Sequence, residues 1–227
     1  MARSSFARSA DFKTPDGVLS FAQSLFKARA QSGGKPKFGC TLIFPNEMRT
    51  AKVCMIKDDN GNMVKKSLEQ IVGDVIVAQW GEKGIERAKK GLIKSPFLAG
   101  DGKEARNKES GELHPGMGEG KFFIRTTANE DRRPQISSTV AAMIPATEDE
   151  VYSGCKGFGV INAFTWHNDE NGDGVSFGIN MFFKREDGER LGGSGGSSPD
   201  AWTETVEDHG SAPDETKSGA GAGSLFG

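Results

Sequence analysis

Alternation of apolar and polar residues predicts β-strands across most of the first 190 residues. From Phe38 to Phe44 the apolar side chains fall on every second position, so they share one face of a strand. The mixed segment 18–29 and the turn SGGKPK precede this strand, and together they predict a β-hairpin. Further strands are predicted at 121–127, 135–141, 151–166 and 175–185, the last two joined by the turn HNDENGDG.

Helical spacing is confined to two segments. Apolar residues recur every three or four positions at 67–80, where Ser67 and Gln70 also have the spacing of a capping box. A shorter helix is predicted at 85–90, because basic residues and then Gly91 follow one another as they do at helix ends. The pattern as a whole therefore predicts a mostly β protein with one long and one short helix.

Two longer stretches show no period. Residues 96–120 are rich in Gly, Lys and Glu and predict a long exposed loop, and the run LGGSGGSSPD after Arg190 has the composition of a linker. Such a linker cannot bury enough apolar surface to offset the entropy of ordering it. We therefore expect a flexible arm at 1–11, one folded domain at 12–190, and a disordered, acidic, glycine-rich tail at 191–227.

The charges are unevenly distributed, although the net charge is only -2. Six acidic residues follow residue 190 and Lys217 is the only basic residue there, so the body is slightly basic and the tail is acidic. This asymmetry indicates nucleic-acid contact by the body. Three widely spaced cysteines and an N-terminus unlike a secretion signal favour a reducing cytosol, and no apolar run reaches the roughly 20 residues of a membrane span.

Metal and catalytic motifs are weak in this sequence. Residues 169–174, DENGDG, resemble the start of a calcium loop, but Asn180 stands where a glutamate is needed, so a hairpin turn is the favoured interpretation. A zinc site could be assembled only from the widely spaced Cys40, Cys54, His114 and Cys155. Buried cysteines explain these residues better, because no pair has the short spacing of a zinc motif. We expect no enzymatic activity, no metal and no cofactor.

Basic and aromatic residues share one face of several predicted strands. Lys121, Phe123 and Arg125 alternate on the same face, and Arg132 and Arg133 follow in the next turn. The same parity selects Lys156, Phe158, Phe164, Trp166, Phe182 and Lys184 on the two long strands, and it assigns Phe177 and Phe183 to the core. Rings stack on bases for about 1–3 kcal/mol each while cations follow phosphates, so such faces predict single-stranded nucleic-acid binding. The alternative is that the rings are core and the cations only solvate the surface.

The order of five motifs resembles a known family. The sequence resembles a family of phage-encoded single-stranded-DNA-binding proteins, because five motifs occur in the same order as in that family: GGKPKFGCTLIFP, KSPFLAGD, GKFFIRTTANEDRRPQI, VYSGCKGFGVINAFTW and GVSFGINMFFKREDGERLGG. This family is similar in architecture to the single-stranded-DNA-binding proteins that short-tailed lytic phages use in replication. The resemblance implies a five-stranded OB-fold barrel with an inserted helix and an acidic C-terminal tail. It also adds Tyr152, in YSGCKGF, to the candidate DNA contacts.

The function expected from this resemblance is coating of single-stranded DNA during phage replication or recombination, in the cytoplasm of the host cell. The tail would bind replication or recombination proteins, with Glu207, Asp208, Asp214, Glu215 and Phe226 as its candidate contacts, and a homodimer is a further expectation. The alternatives are a virion structural protein that self-associates and, less favoured, a metal-dependent nuclease. DNA binding predicts a steep loss of oligonucleotide affinity with salt, which a virion protein would not show.

Overall fold

The computed structural model describes residues 6–30 and 34–192, whose strands form one sheet of eleven strands. The strands are β1 (Phe12–Lys13), β2 (Gly17–Ser20), β3 (Lys37–Pro45), β4 (Cys54–Lys57), β5 (Met63–Lys66), β6 (Ile93–Lys94), β7 (Leu98–Ala99), β8 (Lys121–Asn129), β9 (Gln135–Ser137), β10 (Lys156–Asn168) and β11 (Gly172–Glu186). The mostly β prediction is confirmed. The count of five strands was wrong, because short strands pair along the edges of the longer ones.

The strand order is β5-β4-β1-β10-β2-β3-β8-β11-β6, with β7 added on β8 and β9 added on β11. Strand β10 also pairs with β11 over its whole length. The hydrogen-bonded path β10-β2-β3-β8-β11 therefore returns to its own first strand. The long β10–β11 hairpin is antiparallel, and its turn at 169–171 lies where the sequence predicted one.

In the described part of the chain three α-helices accompany the sheet: α1 (Gln23–Phe26), α2 (Leu68–Trp80) and α3 (Glu82–Lys89). The predicted capping box of α2 is present, since the Ser67 hydroxyl accepts the Gln70 N–H and the Gln70 side chain accepts the Ser67 N–H. Gly81 separates α2 from α3 with φ 66, a conformation that favours glycine. The predicted 85–90 helix thus exists but begins three residues earlier. None of the helices in the described ranges is both long and apolar enough to cross a membrane.

One large core lies between α2 and the sheet. Helix α2 contributes Ile71 and Val75, and the strands contribute Phe12, Ile161 and Phe177 to the same cluster. Because side chains alternate along a strand, the residues next to these on β1, β10 and β11 point to the opposite side of the sheet. We call that side the outer face.

A second, smaller cluster covers the other side of the β3–β8 pair. Phe123 packs there with Ile43 and Ala105, and Leu113 and Met117 pack against them. Ala105, Leu113 and Met117 belong to the segment 96–120, which was predicted to be an exposed loop. That prediction was wrong for its apolar residues, because a few of them are enough to fix the segment against β8.

Residues 7–9, within the predicted N-terminal arm, are hydrogen-bonded to β10. The N–H of Ser9 donates to the carbonyl of Ala163, and the N–H of Thr165 donates to the carbonyl of Ala7. Arg8 forms an antiparallel bridge with Phe164. This segment therefore continues the pairing of β1 with β10, along the same edge of β10. The predicted tail lies outside the described residues except for Leu191 and Gly192.

Candidate nucleic-acid interface

A row of paired residues crosses the outer face over five strands. Lys13 is its central member, with Val160 and Met181 on one side and Met55 and Lys65 on the other. Neighbouring strands lie about 4.8 Å apart, so four steps between strands span roughly 19 Å. Three members of the row are apolar: Met181, Val160 and Met55. Lys13 at its centre and Lys65 at its β5 end are cations.

Beside this row, two phenylalanines form a stacked pair on the outer face. Phe158 of β10 is paired with Phe183 of β11, with ring centres 5.1 Å apart and planes 18° from parallel. The Lys13 Nζ lies 4.0 Å from the centre of the Phe158 ring, and the Arg185 guanidinium carbon lies 5.7 Å from it. Arg185 also donates from Nε to Asp16 at 2.8 Å. We call Phe158 and Phe183 the aromatic pair.

Two more rings continue along β10 on the same face. Phe164 has the Arg8 guanidinium carbon 5.4 Å from its centre. Trp166 donates from its indole N–H to the Ser176 hydroxyl at 2.9 Å, and it lies against Gly174 so closely that a Cβ at that glycine would collide with the ring. The Trp166 ring therefore lies flat across β11. Phe158, Phe164 and Trp166 share one face, as their strand parity predicted.

A β-bulge at Asn180 reverses the parity of β11. Val160 pairs with Met181, but the next residue of β10, Ile161, pairs with Ile179, so Asn180 has no partner. Before the bulge Phe177 points into the core, and after it Phe182 is fully buried while Phe183 points outward. The sequence prediction had placed Phe182 on the DNA face and Phe183 in the core. The structure exchanges them, so Phe182 has no exposed ring face for a base.

The predicted contacts on β8 lie on the side of the sheet away from the large core, beside the second core cluster and not beside the aromatic pair. Phe123 is only 1% exposed in the second core cluster. The Lys121 ammonium donates to the carbonyl of Gly116 at 2.9 Å, and the Arg125 guanidinium donates to the carbonyl of Glu104 at 2.8 Å. Both cations are exposed, but in this structure they hold the segment that covers Phe123. This ring cannot stack on a base while that segment is in place.

Tyr152 and Lys184 belong to a network at the end of β11. The Tyr152 hydroxyl and the Lys184 ammonium both reach Asp187, the first at 2.8 Å and the second at 2.6 Å. Lys184 also donates to the carbonyl of Glu150, and the Arg190 guanidinium carbon lies 4.0 Å from the Tyr152 ring centre. Burial and then the hydrogen bond to Asp187 raise the pKa of Tyr152. With its ammonium held this way, Lys184 fixes the chain after β11.

The other predicted DNA contacts, Lys156, Arg132 and Arg133, lie at two separate places on the sheet. Lys156 is exposed at the start of β10 and pairs with Glu186 at 2.9 Å. Arg132 and Arg133 are exposed in the turn before β9, whose Gln135 pairs with Met181 of the outer-face row. The basic turn therefore borders the outer face. The candidate tail contacts Glu207, Asp208, Asp214, Glu215 and Phe226 lie outside the described residues.

Sequence reasoning missed four residues that the structure places around the rings: Arg8, Lys13, Phe183 and Arg185. Arg8 and Lys13 come from a segment with too few residues to show a period. Phe183 and Arg185 follow the bulge, and the alternation before it assigns them to the wrong side. The neighbouring glycine Gly178, which pairs with Asn162, was the available signal of irregularity in β11.

The three cysteines are buried and free. Burial raises the pKa of Cys40 and of Cys54 to about 12, so both thiols are protonated at neutral pH. Within residues 6–30 and 34–192, no three His, Cys, Asp or Glu side chains are grouped closely enough to hold a metal ion. In the former calcium candidate, the Asn168 side chain accepts the N–H groups of Glu170 and Asn171, as in a hairpin turn.

Comparison with known proteins gives a family match over most of the chain. A family profile described as "Enterobacter phage Enc34, ssDNA-binding protein" matches residues 13–211. No curated protein matches. Among solved structures, the single-stranded-DNA-binding protein of bacteriophage Enc34 in complex with ssDNA is 18% identical with a TM-score of 0.47, over 79% of this chain and 88% of that one. A single-stranded-DNA-binding protein encoded by bacteriophage T7 is 12% identical with a TM-score of 0.41, over 91% and 100%.

Proposed function

The chain belongs to the family of the Enterobacter phage Enc34 ssDNA-binding protein, and from this membership we propose that it binds and coats single-stranded DNA in phage DNA replication or recombination. The binding has no sequence preference and involves no catalysis. The relatives reported above are all single-stranded-DNA-binding proteins, so they give no support to a virion structural role. The observation that carries the proposal is the combination of rings and cations on the outer face.

The proposed path of the DNA follows β10 across the outer face. Bases stack on the aromatic pair, on Phe164 and on Trp166, while phosphates pair with the cations beside them. Each stacked base contributes about 1–3 kcal/mol whatever its identity, because every base has an aromatic face. A platform of rings therefore binds bases without reading their sequence.

The cations that cover the rings take part in this binding. Lys13 lies over Phe158 and Arg8 lies near Phe164. A cation over a ring is worth about 0.5–1 kcal/mol at an exposed site. A base that replaces the cation gains its stacking energy, and the displaced ammonium or guanidinium then lies within reach of the adjoining phosphate. The rings are thus kept covered until DNA arrives.

The OB-fold is part of this proposal. The hydrogen-bonded path β10-β2-β3-β8-β11 returns to its first strand, as the strands of an OB barrel do, and the six short strands of the eleven-stranded sheet extend or flank it. Helix α2 between β5 and β6 is the inserted helix. The domain limits 12–190, the arm at 1–11 and the acidic tail at 191–227 remain expectations from composition. Contact of residues 7–9 with β10 favours a domain that begins before residue 12.

Protein partners are assigned to the tail. Its acids, with Phe226 near its end, have the composition of a segment that binds partners without folding alone. Replication or recombination proteins are the proposed partners of the tail, and a homodimer is proposed for the domain. The expected compartment is the cytoplasm of the phage host.

Titration with poly-dT at two salt concentrations tests the function. We expect quenching of Trp166 fluorescence on binding, and an affinity that falls steeply with salt because phosphate contacts release counterions. A Trp166→Phe variant should lose most of the quenching while binding nearly as well. The absence of any poly-dT binding at low salt would overturn the proposal.

A further inference from the structure

Six consecutive apolar residues are exposed directly after β9. They are residues 140–145, Val-Ala-Ala-Met-Ile-Pro, and all six are exposed to solvent. Val140, Met143 and Ile144 are 40%, 40% and 52% exposed, and they are three of the eight large apolar side chains exposed in the described part of the chain. Exposed apolar residues grouped in this way are typical of an interaction site. We call residues 138–145 the apolar loop.

The apolar loop is held in one conformation by a buried hydroxyl. Ser137 is fully buried, and its Oγ lies 2.8 Å from the Ala142 carbonyl, to which it donates, and accepts the N–H of Ile144 at 3.0 Å. The N–H of Ser138 also donates to the carbonyl of Ile144 at 3.1 Å. Because these bonds fix the loop without a partner, binding through it loses little conformational entropy.

The position of the loop relates it to the proposed DNA path. Ser137, at its base, pairs with Phe183 of the aromatic pair. Arg132 and Arg133, both exposed, precede β9, so they lie at the opposite end of this three-residue strand from the loop, roughly 10 Å away at about 3.3 Å per residue. The loop therefore begins beside the proposed stacking ring of Phe183, and two cations that suit phosphates lie at the far end of β9. Acidic residues follow it at 148–150, so the phosphates are expected on the arginine side only.

The chemistry of the loop tip restricts what it can bind. The side chains of residues 140–145 have no hydrogen-bonding groups, so they cannot read base edges, but they can cover a flat apolar surface. The end of a DNA duplex exposes such a surface, since the last base pair has one face without a stacking neighbour. Where a single strand leaves a duplex, this face lies beside the strand that the outer face would bind.

We propose that the apolar loop packs on the last base pair at a junction between single-stranded and double-stranded DNA. The protein then prefers a strand next to a duplex end over a free strand of equal length. This inference rests on the proposed function, because the aromatic pair must first hold the strand. The pairing of Ser137 with Phe183, together with the exposed arginines at the other end of β9, favours DNA over a second copy of the chain as the occupant.

Competition binding tests the preference. The probes are a dT tail ending in a hairpin, with the tail on either the 5′ or the 3′ side, and a free dT oligonucleotide of the same length. Burial of roughly 50 Å² of apolar surface at about 25 cal/mol per Å² predicts an affinity about five to ten times higher for one of the tailed hairpins. The Met143→Ser, Ile144→Ser double variant should bind the tailed hairpin and the free tail equally well.

Leu92→Ser is the matched control, since Leu92 is an exposed leucine (59%) near β6, outside the apolar loop. It should keep the parent preference, and both variants should bind free dT as the parent does. Equal binding of all probes by the parent, or a preference retained by the double variant, would overturn the inference. A double variant that loses self-association in sedimentation instead would assign the loop to a protein interface. Failure of the proposed function is distinguishable, because the parent would then not bind free dT.

Discussion

The ammonium group of Lys13 lies 4.0 Å from the centre of the Phe158 ring on the outer face. In the row across the sheet, Lys13 pairs with Val160, two residues after Phe158 on β10. The cation thus comes from a different strand than the ring it covers. Stacking of a base on Phe158 requires Lys13 to move, and a phosphate is the group that could then hold its ammonium.

Replacement of Lys13 by methionine tests this exchange. Lys13→Met keeps an apolar cover on the ring but removes the cation, so we expect weaker poly-dT binding. The slope of log affinity against log salt should fall by about 0.7, the contribution of one phosphate contact on a single strand. Lys83→Met, at an exposed position of α3, is the control and should leave the slope unchanged. An unchanged slope for Lys13→Met would mean that Lys13 only packs on the ring.

The neighbours Phe182 and Phe183 should respond to mutation in opposite ways. Phe182→Ala removes a fully buried ring and should lower the free energy of unfolding by about 3–5 kcal/mol. Phe183→Ala removes half of the aromatic pair and should lower poly-dT affinity about 5- to 150-fold, the equivalent of about 1–3 kcal/mol per stacked base. Urea unfolding and fluorescence titration of both variants measure the two effects. If Phe182→Ala alone impaired DNA binding in a stably folded protein, the bulge would be misplaced.

The basic turn before β9 should contribute phosphate contacts without sequence preference. Arg132→Ala combined with Arg133→Ala should weaken binding to dT and dC oligonucleotides equally and lower the salt slope by up to about 1.4, or 0.7 for each arginine. Both side chains are exposed, so the thermal midpoint should hardly change. Titrations at four salt concentrations give the slope. A loss confined to one sequence would argue for base contacts instead.

A pH effect is expected at the β10–β11 turn. The hydrogen bond to Asp173, at 2.8 Å, raises the pKa of His167 above its ordinary value. A raised pKa means that the folded state holds the proton more tightly. The resulting stabilisation is fully present below the unfolded pKa of about 6.5 and is lost as the pH rises through the folded value.

NMR titration of the His167 ring should show the raised pKa directly. The Asp173→Asn variant should bring that pKa down, and His167→Gln should flatten the dependence of unfolding free energy on pH just above 6.5. Because Asp173 also binds Arg87, the histidine variant is the cleaner test of stability. An ordinary pKa for His167 in the parent protein would show that the bond to Asp173 does not form in solution.

The tail prediction concerns competition with DNA. The tail has six acidic residues and one basic residue, Lys217, so it can occupy the cations of the outer face transiently. Its removal should therefore tighten DNA binding modestly at low salt. The difference should fade as salt screens both interactions. A fragment ending at Gly192 is suitable, because it keeps the bond from the Leu191 N–H to the Ser153 carbonyl. Weaker binding by this fragment, with its cooperative unfolding intact, would contradict the prediction.

Sequence reasoning succeeded where the determining contacts are local. The capping box and apolar spacing of α2 lie within one helix, and the long hairpin follows from alternation on either side of a turn. The prediction for Phe123 shows the limit. Its strand parity was correct, but whether a face is free or covered depends on the segment 100–118, whose sequence has no period. Phe183 was missed for a related reason, because the bulge that reorients it is defined by pairing with a strand some twenty residues away.

The unpaired Asn180 also determines how this chain should be compared with its relatives. A homologue whose last strand has no bulge would present its outward ring one position earlier in the sequence. In an alignment without a gap, the outward, DNA-facing ring of that homologue would stand in the column of Phe182. The buried Phe182, which is there for packing, would then be counted as a conserved DNA contact. A one-residue gap at Asn180 keeps the two roles separate. Conservation at these two positions can then be interpreted residue by residue.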